Sequence, residues 1–208
     1  MKKKKNRCTV IGLCGRSGSG KGYISSVFAS FGGLHIDTDK VYHDLLEPVD
    51  GKISECLSEI VSYFGEGILD GLHLDRKKLG AIVFSDDEKL LKLNEITHKY
   101  IKEKTLSLID SCTATFAVVD APVLFESGFD SLCDFTVCAV ADDETCIKRI
   151  VKRDGVTEEA ARARLANQIS CEELEAKCDF AVDNSYGRDV TEQIEKILKA
   201  KGLVRNEH

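Results

Sequence analysis

The sequence predicts an α/β fold with a mainly parallel sheet. Short, continuous apolar runs rich in β-branched residues recur along it, and helix-periodic segments lie between them. A glycine- and serine-rich loop joins the first such run to the first helix.

The elements follow in order. Cys8-Thr9-Val10-Ile11-Gly12-Leu13 reads as a buried strand that ends in glycine. After the loop, Ile24, Val27, Phe28 and Phe31 recur at helical spacing, and Gly32-Gly33 supplies the stop. Leu34-His35-Ile36-Asp37 is a second short strand with acids at its end. Residues 38–110 are mostly helical in pattern, broken near Pro48-Val49-Asp50-Gly51 and around Gly65-Glu66-Gly67. Within them, 86–110 forms one long helix with Leu90, Leu93, Ile96, Ile101 and Leu108 on its apolar side. Phe116-Ala117-Val118-Val119-Asp120 has the continuous apolar character of a central parallel strand, and Phe135-Thr136-Val137-Cys138-Ala139-Val140 is another. A helix over about 142–153, a charged helical pair over about 157–177, a last strand at Phe180-Ala181-Val182 and a closing helix over 190–198 complete the chain.

Composition narrows the function. The 208 residues are 43% hydrophobic and 31% charged, enough for one sizeable core, and the formal charge of -6 gives no general attraction to nucleic acid or anionic lipid. Lys2-Lys3-Lys4-Lys5 is the one strong basic run and reads as a solvated terminus. The apolar run after Arg7 is too short for a signal peptide, and none approaches the roughly 20 residues that span a bilayer. Nine cysteines include no C-x-x-C pair, and several sit in strand-like runs. They are expected to be reduced thiols of a cytoplasmic protein.

Gly15-Arg16-Ser17-Gly18-Ser19-Gly20-Lys21 satisfies G-x-x-x-x-G-K, and the flanking strand and helix are the setting that motif requires. Glycines let successive N–H groups turn toward an anion, the helix start adds its dipole, and Lys21 meets the outer phosphates. Gly15, Gly18, Ser19, Gly20, Lys21, Gly22 and Tyr23 are therefore the expected ATP-binding loop. Gly22 stands where a Ser or Thr would hold Mg²⁺. A water can fill that position, since Mg²⁺ keeps several waters and leans on phosphate oxygens. The glycine-after-lysine form resembles the loop of adenylate kinases, where a threonine follows instead of Tyr23.

Asp37 and Asp39 close the second strand, on the rim of a parallel sheet that also carries the loop. One is expected to cap the next helix; the other accepts a proton from an attacking hydroxyl or orders the metal's waters. From here the chain resembles the dephospho-CoA kinase family across nearly its whole length. Ile11-Gly12-Leu13-Cys14-Gly15 with Gly18-Ser19-Gly20-Lys21 matches the first strand and loop, and Ile36-Asp37-Thr38-Asp39 the I-D-A-D segment. Arg76-Lys77-Lys78-Leu79-Gly80 with Val83-Phe84 resembles R-x-x-L-G-x-x-V-F. Leu93-Asn94-Glu95-Ile96-Thr97-His98 resembles L-x-x-I-x-H, with Lys99 in place of the usual proline. Asp120-Ala121-Pro122-Val123-Leu124-Phe125-Glu126 is close to D-x-P-L-L-F-E. Lys148-Arg149, Arg153-Asp154, Arg164-Leu165-Ala166-Asn167-Gln168 and Val182-Asp183-Asn184 resemble the lid and adenine segments.

The resemblance implies a single P-loop kinase domain. Its three-layer core, with a parallel five-stranded sheet, would span roughly 6–39, 116–149 and 179–208, with a helical acceptor lobe over 40–115 and a helical lid over 150–178. It implies ATP-dependent phosphorylation of the ribose 3′-hydroxyl of dephospho-CoA, the last step of coenzyme A synthesis, with ATP and Mg²⁺. Asp39 would be the base; Lys21 and Arg149 would bear the transferring charge. Arg153, Arg164 and Asn184 would bind the nucleotide, and Arg76, His98 and Glu126 the acceptor. No side chain is a confident direct metal ligand, and Asp39 or Asp120 would act through water. His35 and His43 receive no role. The expected partners are these small molecules, with neither nucleic acid nor membrane, in a monomer or weak homo-oligomer. A nucleoside or nucleotide kinase, and an ATP-binding module that has lost catalysis, remain as alternatives. No N-K-x-D-type guanine reader supports a GTP switch.

Overall fold

The computed structural model describes residues 8–204; the basic run Lys2-Lys3-Lys4-Lys5 lies outside them. The chain forms two compact units: one takes in the residues up to Ile36 and from Ile109 onward, and the other is Asp37–Leu108.

The first unit is built on a parallel sheet of β1 (Thr9–Gly15), β2 (Leu34–Asp37), β5 (Phe116–Asp120), β6 (Phe135–Val140) and β7 (Phe180–Asp183), in the order β2-β5-β1-β6-β7. β1 lies at the centre, with Leu13 opposite Asp120 on β5 and Cys14 opposite Cys138 on β6. Both its faces are covered, which explains its unbroken apolar run. Ile11 and Leu13 pack into a core with Ile24, Val27 and Phe28 of α1 (Lys21–Ser30) and with Val190, Ile194 and Leu198 of α9 (Val190–Ala200). Gly12 points the other way, where an added Cβ would come within 2.8 Å of the Cys133 Sγ, so that face tolerates no side chain there.

Between β6 and β7 lie α6 (Asp143–Asp154), α7 (Glu158–Ala166) and α8 (Cys171–Lys177). Ile147 and Ile150 of α6 pack on Ala161 and Leu165 of α7. All nine cysteines are free thiols. Cys14 Sγ lies 3.5 Å from Cys178 Sγ, beside the loop's first glycine.

The second unit contains α2 (Thr38–Leu46), α3 (Glu55–Phe64), a short hairpin of β3 (Leu69–Asp70) and β4 (His73–Leu74), α4 (Arg76–Val83) and most of α5 (Asp87–Asp110). Leu57, Ile60 and Ile68 are fully buried at its core, joined by Leu79, Leu93 and Ile96. The hairpin is absent from the periodicity because two-residue strands are too short to alternate; Gly71, with φ of 60°, makes its turn. Along α5, Leu93, Ile96 and Ile101 are buried as expected, whereas Ile109 rather than Leu108 is buried near its end.

Candidate active site

The loop after β1 is shaped by its glycines. Gly18 and Gly20 have φ of 79° and 83°, the left-handed region that an L side chain rarely adopts. A Cβ on Gly18 would meet the Cys146 carbonyl oxygen at 2.5 Å, and one on Gly20 would run into the Asn184 amide. The helices α2, α3, α4, α6, α7, α8 and α9 each begin on an Asp, Ser or Thr whose side chain accepts from the first-turn N–H groups. Helix α1 begins on Gly20 with no side-chain cap, forgoing roughly the few tenths of a kcal/mol by which such a cap exceeds glycine. Its positive end is left to a ligand. Ser19, 1% exposed, has a hydroxyl without a hydrogen-bond partner in the wall of the same loop, a donor that a phosphate oxygen would satisfy.

Lys21 opens α1 and ion-pairs with Asp120 Oδ1 at the end of β5. Asp120 is 4% exposed, and its other oxygen accepts from Ser25 Oγ at 2.7 Å and lies 3.2 Å from His35 Nε2. Burial alone pushes this carboxyl's pKa up. The His35 bond, the Lys21 charge and the Ser25 hydroxyl outweigh it and hold the group below the ordinary carboxylate range. Asp120 is therefore a fixed negative charge against Lys21. Gly22 and Tyr23 are exposed on the first turn of α1.

Arg149 of α6 donates through Nη1 to the carbonyls of Gly18 and Ser19, at 3.2 and 3.3 Å, and through Nη2 to the Asn184 carbonyl at 2.8 Å. Asn184, following β7, donates to the Ser19 carbonyl at 2.8 Å. These two predicted residues brace the loop backbone from outside. Arg153 bonds Asp154 and lies 3.4 Å from the Ser17 hydroxyl, while Arg164 ion-pairs with the same Asp154. Arg16 carried no signal in the sequence because it fills a variable position of the motif. Its guanidinium, 8% exposed, nevertheless reaches Asp143 at 2.8 Å and the Leu165 carbonyl at 3.2 Å. Gln168 accepts from the Ser17 N–H at 3.0 Å. Glu126 lines a cavity of about 220 Å³ together with Cys14, Arg16, Pro122, Phe125 and Gln168.

In the Asp37–Leu108 unit, Asp37 is the residue that caps α2, accepting from the N–H groups of Asp39 and Lys40. Asp39 sits in the first turn and its side chain is exposed. Arg76, in the first turn of α4, is hydrogen-bonded to His43 Nδ1. His98 is half-buried in α5, and burial lowers its pKa below the ordinary 6.5. Lys99 pairs with Glu59 at 3.1 Å, and α5 runs on unbroken where the resemblance has a proline. Neither His35 nor His43 was predicted, since each gains its role only from a partner distant in sequence.

The dephospho-CoA kinase family model matches residues 9–189, which include the loop, the Asp120 cluster and the Arg149 helix. A dephospho-CoA kinase of Listeria monocytogenes is 38% identical over 201 residues, covering 92% of this chain and 98% of that one. The crystal structure of TT1252 from Thermus thermophilus superimposes with a TM-score of 0.80 at 26% identity, covering 94% of this chain and 98% of that one. A dephospho-CoA kinase from Campylobacter jejuni does so with a TM-score of 0.65 at 30% identity, with the same coverage. Among the described residues no helix is long and apolar enough to cross a membrane. Glycine cradle, uncapped helix and anchored lysine are thus the local expression of an ancestry that runs the length of the fold: the chain belongs to the dephospho-CoA kinase family.

Proposed function

We propose that this protein transfers the terminal phosphoryl group of ATP to the ribose 3′-hydroxyl of dephospho-CoA, giving coenzyme A and ADP, the final step of coenzyme A synthesis. The observation that carries this reading is the family match over residues 9–189, with the loop's glycines and Lys21 inside it. The buried, unpartnered Ser19 hydroxyl and the cradle that a Cβ would fill fit a phosphate chain. Hard oxygen donors at Asp120 and Ser25 fit Mg²⁺ held mainly by that chain and by water. Among the described residues no three His, Cys, Asp or Glu side chains gather into a metal site. Mg²⁺, when bound, neutralises charge on the phosphate oxygens.

The chain's own groups do the rest. The loop's N–H groups and Lys21 hold the outer phosphates, and Asp120 orders the metal's waters. Arg149 has five donors; its contacts to the loop carbonyls fix its plane, and its remaining N–H groups meet the transferring group. Arg153 and Arg164 clamp the nucleotide, Asn184 borders the adenine, and Tyr23 lies at the loop's outer edge. Asp39 takes the proton of the 3′-hydroxyl, while Arg76, His98 and Glu126 hold the acceptor. Such transfer is mainly positioning and electrostatics. Residues 40–115 form the acceptor lobe of a single kinase domain, and 150–178 a lid whose closure excludes competing water. The protein works in the cytoplasm as a monomer or weak homo-oligomer, on small molecules and not on nucleic acid or membrane.

An acceptor panel tests the substrate. With ATP and Mg²⁺, dephospho-CoA should be converted to a product of coenzyme A mass, while adenosine, AMP and shikimate remain unchanged. Phosphorylation of AMP or adenosine in preference to dephospho-CoA overturns the assignment and favours a nucleotide kinase.

A further inference from the structure

Gly22 leaves the loop without the hydroxyl that normally follows its lysine, and nothing nearby forces that. Residue 22 is exposed, and a Cβ built on it meets no atom within 4 Å. A serine would fit. One turn further along the same helix, Ser25 is fully buried and donates to Asp120 Oδ2 at 2.7 Å. Lys21 and Ser25 are four residues apart and so share a face of α1. They grip Asp120 from that face, the lysine on Oδ1 and the serine on Oδ2. His35 reaches Oδ2 from β2 at 3.2 Å, with a third of its side chain exposed.

We propose that Ser25 carries, one helical turn on, part of the task that position 22 has lost. It is a positioning residue that fixes the plane of Asp120 so that the carboxylate can receive the hydrated Mg²⁺ arriving with ATP. This rests on the ATP-dependent reading given above. The physical reason is that a long, flexible lysine on one oxygen and a partly exposed histidine at 3.2 Å on the other hold the carboxylate less firmly than a short hydroxyl contact does. The Ser25 donor, 2.7 Å away and on the same rigid helix as the lysine, removes the remaining freedom before the ligand arrives. A hydroxyl donating to a charged acceptor is also among the stronger hydrogen bonds, so its loss should be measurable.

The test is equilibrium binding of ATP to the full chain, with no acceptor present, titrated with Mg²⁺ and repeated in EDTA. Ser25→Ala, Gly22→Ser and the double variant are compared with the parent, each with its melting temperature. The expected result for Ser25→Ala is metal-free ATP affinity within about twofold of the parent, and a Mg²⁺ midpoint raised roughly tenfold. Gly22→Ser in the Ser25→Ala background should recover most of that shift, because it returns a hydroxyl to the metal's side of the loop. Should Ser25→Ala fail to fold, Ser25→Cys keeps the volume, substitutes a weak donor and should raise the midpoint by a smaller amount.

An unchanged midpoint overturns the proposal. So does an equal loss of metal-free and metal-dependent binding that Gly22→Ser does not rescue, which marks Ser25 as merely structural. A parent that binds ATP equally with and without Mg²⁺ overturns it too. Dephospho-CoA takes no part in this measurement. A protein that shows the expected pattern yet phosphorylates nothing refutes the kinase reading alone, and an active kinase indifferent to Ser25 refutes this inference alone.

Discussion

In the sheet-bearing unit, Asp120 is 4% exposed and engaged by Lys21, Ser25 and His35, and Arg149 is bonded to three backbone carbonyls. In the Asp37–Leu108 unit, Asp39 and Arg76 are exposed, Arg76 has an exposed histidine as its partner, and His98 is half-buried. Lys21, Asp120 and Arg149, proposed to meet ATP, are thus set in place by the fold before any ligand binds, whereas Asp39 and Arg76, proposed to meet the acceptor, stand exposed on helix surfaces. The contrast fits the chemistry. Phosphoryl transfer gains most from charges that need not reorganise in the transition state, while acceptor recognition tolerates side chains that settle on the ligand. Damage to the first set should lower turnover and loosen the fold; damage to the second, apart from Asp39 as the proposed base, should weaken binding of one substrate.

The largest effect is expected at Gly20. Gly20→Ala forces a side chain into the left-handed region and against the Asn184 amide, and ATP affinity measured by calorimetry should fall about a hundredfold. Gly22→Ala, two positions on, meets open space and should change it less than about threefold. Equal losses at the two positions would contradict the geometry of the loop.

Arg149→Lys comes next. A lysine cannot reproduce a planar fork on three carbonyls, so the rate of ADP release should drop about a hundredfold despite the retained charge. A rate within threefold of the parent would show that the bracing is dispensable.

Arg76→Ala should act on one substrate. The KM for dephospho-CoA is expected to rise roughly tenfold, with the KM for ATP and the melting temperature unchanged. Parallel changes in both KM values would erase the distinction between the two sets of residues.

The smallest effect is a pH slope. Burial holds the His98 pKa below 6.5 in the folded chain. As pH falls below 6.5, the unfolded chain takes up a proton that the native state refuses, so stability declines until the native pKa is passed and recovers as pH rises again. Urea melts between about pH 5 and 7.5 should show that slope in the parent and a flatter one in His98→Gln. The same slope in both would assign it to another group.

Much of the first set was legible in the sequence because its rules are local. Three glycines and a lysine at fixed spacing, between a buried strand and a helix, have few other uses, and an acid ending an apolar run marks a strand end. The five-stranded sheet needed the family resemblance, since periodicity alone gave alternating strands and helices without their number or order. Ser25 and His35 were not legible: each is ordinary in its own segment and acquires a role only because the sheet order brings β5 beside β1 and β2. Arg16 was hidden in a variable position of the motif, and its partners Asp143 and Leu165 lie more than a hundred residues on. His43 emerged only with the Arg76 contact. The β3–β4 hairpin was too short to leave a pattern.

The most direct test of the account is ADP release by the purified protein with ATP and Mg²⁺, with and without dephospho-CoA, alongside Asp39→Asn. Release that requires dephospho-CoA and falls by about a hundredfold or more in Asp39→Asn is the predicted result, and it would show that a loop with Gly22 supports catalysis. Bound ATP with no dephospho-CoA-dependent release at any Mg²⁺ concentration would contradict it, and would mark the protein as a nucleotide-binding member of the family that has lost its chemistry.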